Sequence, residues 1–122
     1  MTKKILAVDD SPSVRKLVGF SLKRGGFLVT TAQDGQEALD IVARESFDAV
    51  ILDVNMPRLD GFEFLRRVKA NESLASIPVV MLTTEGHDMD KERARELGAT
   101  AYLVKPFKPT MLLELMNEVL SG

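Results

Sequence analysis

The chain has 122 residues, within the usual range for one domain with one hydrophobic core. Hydrophobic residues make up 45% and charged ones 28%, and the formal net charge is −2, so the composition is that of an ordinary globular protein without the basic excess of a nucleic-acid binder. There is no cysteine, which excludes a disulfide framework and a thiolate metal site; no apolar run approaches the ~20 residues of a membrane span, and MTKKILAVDD lacks the long apolar region of a secretory signal. A cytoplasmic single domain over residues 1–122, with neither membrane nor nucleic acid as partner, is the expectation.

Five short apolar runs alternate with five helical patterns. The first strand is expected over Lys4–Asp9. A helix follows Pro12, with Val14, Leu17, Val18 and Leu22 on one face, and Arg24-Gly25-Gly26 stops it. Phe27–Thr31 is the second strand, and Asp34–Ser46 is helical with Ala38, Leu39 and Val42 inward. The third strand, Asp48–Asp53, holds the unbroken apolar run Ala49–Leu52, the pattern of a strand buried on both faces. Gly61 opens a helix carrying Phe62, Leu65 and Val68. Ile77–Thr83 is the fourth strand, with Pro78 at its start, where a missing N–H is tolerated. Asp88–Leu97 forms a helix ended by Gly98. Its apolar stripe is thin (Ala94, Leu97, Met89), and Asp90–Glu96 is almost all charge, which on pattern alone reads as a solvated face. Thr100–Val104 is the fifth strand, and the last helix, from near Pro109, buries Leu112, Leu115, Met116 and Val119. Strict alternation of this kind predicts an α/β fold, a parallel sheet covered on both faces.

The polar residues gather at the strand ends. Asp9 and Asp10 end the first strand, Asp53 the third, Thr83 the fourth and Lys105 the fifth. Open α/β sheets bind ligands outside the carboxyl ends of their strands. Each residue alone has an ordinary explanation: one of Asp9 and Asp10 as a helix cap, Asp53 as a turn residue before Pro57, Thr83 as a strand-end threonine, Lys105 as a surface lysine. Together they are harder to dismiss. Two carboxylates 4 Å apart repel by about 4 kcal/mol at an effective dielectric near 20. Three in one cleft need cations, and Lys105 supplies one. A hard divalent ion suits the all-oxygen remainder, and Mg²⁺ typically uses one or two carboxylates and keeps several waters.

The motifs VDDSPSVR, VILDVNMPRLDG, VVMLTTEG and AYLVKPF, in this order over essentially the whole chain, resemble the receiver domain of bacterial two-component response regulators. The chain is most similar to stand-alone chemotaxis regulators of that family. The resemblance implies a doubly wound (βα)5 fold with a five-stranded sheet of order 2-1-3-4-5. It also implies that Asp53 accepts a phosphoryl group from a histidine kinase, with Mg²⁺ held by Asp10, Asp53 and the backbone carbonyl of Asn55, and through water by Asp9. Thr83 and Lys105 would serve the phosphoryl oxygens, and Tyr102 would follow Thr83 as an aromatic switch. Asn55 and Glu85 would set the lifetime of the signal. The Lys105–Pro106 bond is expected to be cis, which would aim the lysine into the cleft. Met56 and Pro57 shape the loop after Asp53, and lone His87 reads as a solvated loop residue. Thr84 departs from the small residue common at its position in the family and would narrow the approach to the phosphate.

With nothing after the fifth helix, output is expected through protein contact by a monomer, in chemotaxis on the flagellar motor switch. A phosphorelay shuttle or another motility or developmental regulator is the alternative. A haloacid-dehalogenase-type phosphatase would need a second Asp where Asn55 stands. A flavin-binding module would not present two carboxylates after its first strand, and a degenerate receiver would not keep Asp10, Asp53, Thr83 and Lys105. The protein is therefore expected to catalyse only its own phosphorylation and dephosphorylation.

Overall fold

A computed structural model describes residues 2–54, 59–84 and 88–121. In chain order the elements are β1 (Lys4–Val8), α1 (Pro12–Arg24), β2 (Leu28–Ala32), α2 (Gly35–Val42), β3 (Ala49–Asp53), α3 (Gly61–Ala70), β4 (Val79–Thr84), α4 (Asp88–Glu96), β5 (Ala101–Lys105) and α5 (Pro109–Ser121). The strands form one parallel sheet of order β2-β1-β3-β4-β5. This is the five-stranded, doubly wound arrangement that the resemblance implies.

Side-chain alternation along the strands divides the core in two. Leu6, Val8, Val50, Leu52 and Met81 face α2 and α3, where Phe64, Leu65 and Val68 meet them. Ile5, Ala7, Ile51, Val80 and Leu82 face the opposite way, onto Val18 and Leu22 of α1 and Leu112 and Met116 of α5. β3 is buried along its whole length, as its unbroken apolar run requires.

Several boundaries and faces differ from the sequence pattern. β3 starts at Ala49, because the Asp48 carboxylate turns to accept the Lys4 N–H at 2.7 Å. β2 is set one residue later than expected, over Leu28–Ala32. α2 ends at Val42, and the exposed Ala43–Ser46 segment leads to the buried ring of Phe47. Leu17 is not in the core but 40% exposed, and Val14, Leu115 and Val119 are only half-buried. Ile41 and Phe64 are buried instead, beside the residues the periodicity singles out.

Gly19 sits inside α1, where glycine is disfavoured, and a Cβ added there meets nothing within 4 Å. Gly19→Ala is expected to stabilise the fold by roughly 0.5–1 kcal/mol. Urea denaturation should show a higher midpoint at an unchanged slope. Among the described residues no helix is long and apolar enough to cross a membrane.

Candidate functional site

β1, β3, β4 and β5 deliver their carboxyl ends to one edge of the sheet. Asp9 follows β1 directly, its N–H donating to Ala32 O at 3.2 Å, and Asp53 is the last residue of β3. Thr83 is the penultimate residue of β4, since the strand runs on through Thr84, which pairs in register with Lys105. Lys105 ends β5, and its bond to Pro106 is cis, as the resemblance implies.

The loop after β1 is tied down locally. Neither aspartate caps α1: Ser11 does, its Oγ accepting the Val14 N–H at 3.3 Å, with Pro12 at the first helical position. Asp9 instead folds back, Oδ1 accepting the Ser11 N–H at 2.9 Å. Arg15, one turn into the helix, donates from Nη1 to the Asp9 carbonyl at 2.7 Å. Asp9 is thereby buried, while Asp10 faces solvent. The Ser-Pro pair at a helix start is a cap signature that could have assigned Ser11; nothing in the sequence announces the role of Arg15.

Asp53 is held from behind. Asp60 caps α3, its carboxylate accepting the Glu63 N–H at 2.9 Å, and the Gly61 N–H donates to Val54 O at 3.0 Å. A Cβ on Gly61 would lie 2.3 Å from the Asp53 carbonyl oxygen. Only glycine lets the start of α3 press so closely on the residue carrying the carboxylate, a constraint that sequence reasoning missed.

Asp9, Asp10 and Asp53 place carboxylate oxygens within 4.8 Å of one another. Lys105 joins them: its Nζ donates to Asp9 Oδ2 at 2.9 Å and lies 3.2 Å from Asp53 Oδ1. Burial pulls the lysine pKa down, but the hydrogen bond to Asp9 and the charges of Asp53 and Asp9 outweigh it, and the pKa ends above the ordinary lysine value. Lys105 therefore stays charged through the neutral range. The stability that its raised pKa contributes is present below the unfolded lysine value and is lost only as pH climbs through the folded one. Among the described residues, one ammonium against three carboxylates leaves negative charge over. An all-oxygen donor set with one member open to solvent suits a hard cation that keeps part of its water shell. Thr83 Oγ1 is buried with no hydrogen-bond partner among the described residues, a hydroxyl in want of an acceptor.

Tyr102 stands apart from this cleft, 43% exposed, with Lys91 Nζ 5.3 Å from its ring centroid. In α4, Ala94 is buried and Leu97, just beyond its end, packs against the core, whereas Arg93 and Glu96 are exposed. Asn55, Met56, Pro57, Glu85 and His87 lie outside the described residues.

The family model of the response regulator receiver domain matches residues 5–117. The chain belongs to the response regulator receiver family. Membership sets aside the phosphatase and flavin-module alternatives. The receiver is 44% identical to the chemotaxis response regulator CheY4 of Vibrio cholerae, with a TM-score of 0.92 over 98% of this chain and 99% of that one. It is 42% identical to the transcriptional regulatory protein PhoP of Bacillus subtilis, which controls alkaline phosphatase synthesis, over 89% of this chain and 45% of PhoP. The chain thus spans less than half of PhoP's length. The receiver domain of a sensor histidine kinase from Pseudomonas aeruginosa, with a magnesium ion coordinated in its active-site cleft, is 30% identical with a TM-score of 0.92, each chain covered fully.

Proposed function

We propose that this receiver is the phosphoacceptor of a two-component system and that Asp53 takes the phosphoryl group. The observation that carries the reading is the approach of Lys105 Nζ to both Asp53 and Asp9 beside the exposed carboxylate of Asp10. Transfer from a histidine kinase forms a bond between an Asp53 oxygen and phosphorus and breaks the donor's N–P bond, the imidazole leaving with the electron pair. Lys105 faces the incoming phosphoryl oxygens and offsets their charge. Asp9 keeps that ammonium oriented, and Arg15 holds the loop on which Asp9 and Asp10 sit. Thr83 gives its buried hydroxyl to a phosphoryl oxygen.

The donor set fits Mg²⁺, which would be held by Asp10, Asp53 and the Asn55 carbonyl, with Asp9 acting through water. Such an ion supplies charge neutralisation at the phosphoryl oxygens. The chain is thus a regulator that promotes its own phosphorylation and dephosphorylation, Asn55 and Glu85 tuning the second.

Phosphorylation adds roughly two negative charges. Movement of Thr83 toward them frees space beside β5, Tyr102 turns inward, and the face made of α4, β5 and α5 changes. Lys91 over the Tyr102 ring couples α4 to that motion. The partner on this face is a protein. The identity with CheY4 favours the flagellar motor switch and chemotaxis in the cytoplasm, with the receiver acting as a monomer. The identity with PhoP favours a second reading, a receiver that governs transcription.

Lys105→Met separates the roles. Removing the ammonium takes away the lysine charge that competes with a metal for these carboxylates. Mg²⁺ should bind several-fold more tightly, by amide-shift titration, while phosphorylation by acetyl phosphate slows at least about tenfold, a loss near 1.4 kcal/mol of transition-state stabilisation. Unchanged metal affinity together with an unchanged rate would contradict the proposed cleft chemistry.

A further inference from the structure

The edge of the sheet farthest from β5 has features that, Arg15 apart, the phosphoacceptor reading does not use. Helix α1 carries Arg15, Lys16, Lys23 and Arg24 and no acid. Beside it, β2 has the sequence LVTTA, with no charge, and among the described residues pairs only with β1. The Leu28 N–H donates to Lys3 O, and Ala32 O accepts the Asp9 N–H, so these residues turn their backbone groups toward β1. By strand alternation Val29 and Thr31 turn theirs outward. Edge strands are usually blunted by charge, proline or a bulge, because a row of outward N–H and C=O groups is a template for another strand. β2 carries neither charge nor proline, and its Leu28 is 56% exposed.

Between this edge and α1 runs a groove of about 410 Å³, lined by Arg15, Lys16, Lys23 and Phe20 on the helix and by Val29 and Thr31 on the strand. Gly19 also lines it, and the space where its Cβ would stand is open. Phe20 is 61% exposed at the rim. Arg15 is engaged by the Asp9 carbonyl, whereas Lys16 and Lys23 are exposed and have no acidic neighbour on α1 or β2. The charge of the groove is thus positive and unbalanced by its own walls, and its floor is open because residue 19 is glycine.

We propose that the β2 edge and the α1 groove form a second docking surface that takes an extended acidic segment of a protein partner as an added strand. The segment's backbone pairs with the outward groups of Val29 and Thr31. Its alternate side chains enter the groove, so carboxylates spaced two residues apart lie over Lys16 and Lys23. This surface lies at the β2 edge, opposite the α4–β5–α5 face, and would be occupied whether or not Asp53 carries phosphate.

The test titrates an eight-residue alternating Glu-Val peptide into the isotope-labelled full chain and follows backbone amides. A Lys-Val peptide, a Glu-Val peptide with a central proline and a single-stranded oligothymidylate serve as comparisons. The Glu-Val peptide should shift the amides of Val29, Thr31 and Gly19, and the other three should not. The doubly substituted chain Lys16→Glu, Lys23→Glu should bind it at least tenfold more weakly. Thr31→Pro, which removes one outward N–H from an edge strand where proline is tolerated, should abolish binding. Each variant should still take up phosphoryl groups from acetyl phosphate, which keeps this surface distinct from the Asp53 chemistry. The proposal is overturned by no shift at millimolar peptide, by shifts mapping elsewhere, by equal binding of the Lys-Val peptide, or by shifts of these amides with the oligonucleotide alone.

Discussion

Asp53→Asn is expected to give a folded protein that takes up no phosphoryl group from acetyl phosphate in the presence of Mg²⁺. The amide is nearly isosteric with the carboxylate but is not a competent nucleophile. The side chain is 9% exposed at the end of a fully buried strand, so a replacement of the same shape keeps the packing. Lys105 keeps its hydrogen bond to Asp9 at 2.9 Å, so the lysine is not orphaned. Removing one of three clustered carboxylates relieves repulsion, and the variant should be more stable than the parent by an amount on the order of 1 kcal/mol after screening. Intact-protein mass spectrometry reads the first outcome and urea denaturation the second. Full phosphoryl uptake by the variant would move the acceptor to another residue.

The second large effect concerns a glycine. Gly61→Ala puts a methyl group 2.3 Å from the Asp53 carbonyl oxygen and 3.0 Å from Val54 Cα. Both are backbone atoms and cannot swing aside as a side-chain tip would. The start of α3 must move off the end of β3, at a cost of about 2–3 kcal/mol, the upper part of the range for overpacking. The same displacement moves Asp53 relative to Lys105, so phosphorylation by acetyl phosphate is expected to slow as well. Gly19→Ala is the contrasting case, the same chemical change with the opposite sign, because its Cβ meets open space. Thermal and urea unfolding of the two variants side by side would separate them. A neutral Gly61→Ala would mean that the contact between α3 and Asp53 is not as tight as described.

The fold was legible because hydrophobic runs and helical stripes alternate without interruption from Lys4 to Ser121. The strand order was not a matter of periodicity: it entered through the resemblance, since parallel strands of similar composition carry no local sign of their neighbours. Leu17 shows the limit of a stripe. It recurs at helical spacing with Val14 and Val18, yet α1 turns it toward the shallow groove beside α5, where it is 40% exposed. The strand-end residues were visible as a set because each breaks an apolar run. Their closeness was not visible, because it depends on which strands lie side by side. The supports behind them, Arg15 on the Asp9 carbonyl and Gly61 against Asp53, depend on how each loop folds back on its strand end, which leaves little trace in hydrophobic pattern. The solvated appearance of α4 likewise came from charge alone, whereas Lys91 Nζ lies over the Tyr102 ring.

The central claim is that Asp53 carries the phosphoryl group, and borohydride trapping tests it most directly. Borohydride reduces an aspartyl phosphate to homoserine, so the chain would be treated with acetyl phosphate and Mg²⁺, reduced, digested and sequenced by tandem mass spectrometry. The account predicts homoserine at position 53 alone, and none when the metal is chelated. Homoserine in place of Asp9 or Asp10, or a reduction-resistant phosphate on Thr83, would contradict it.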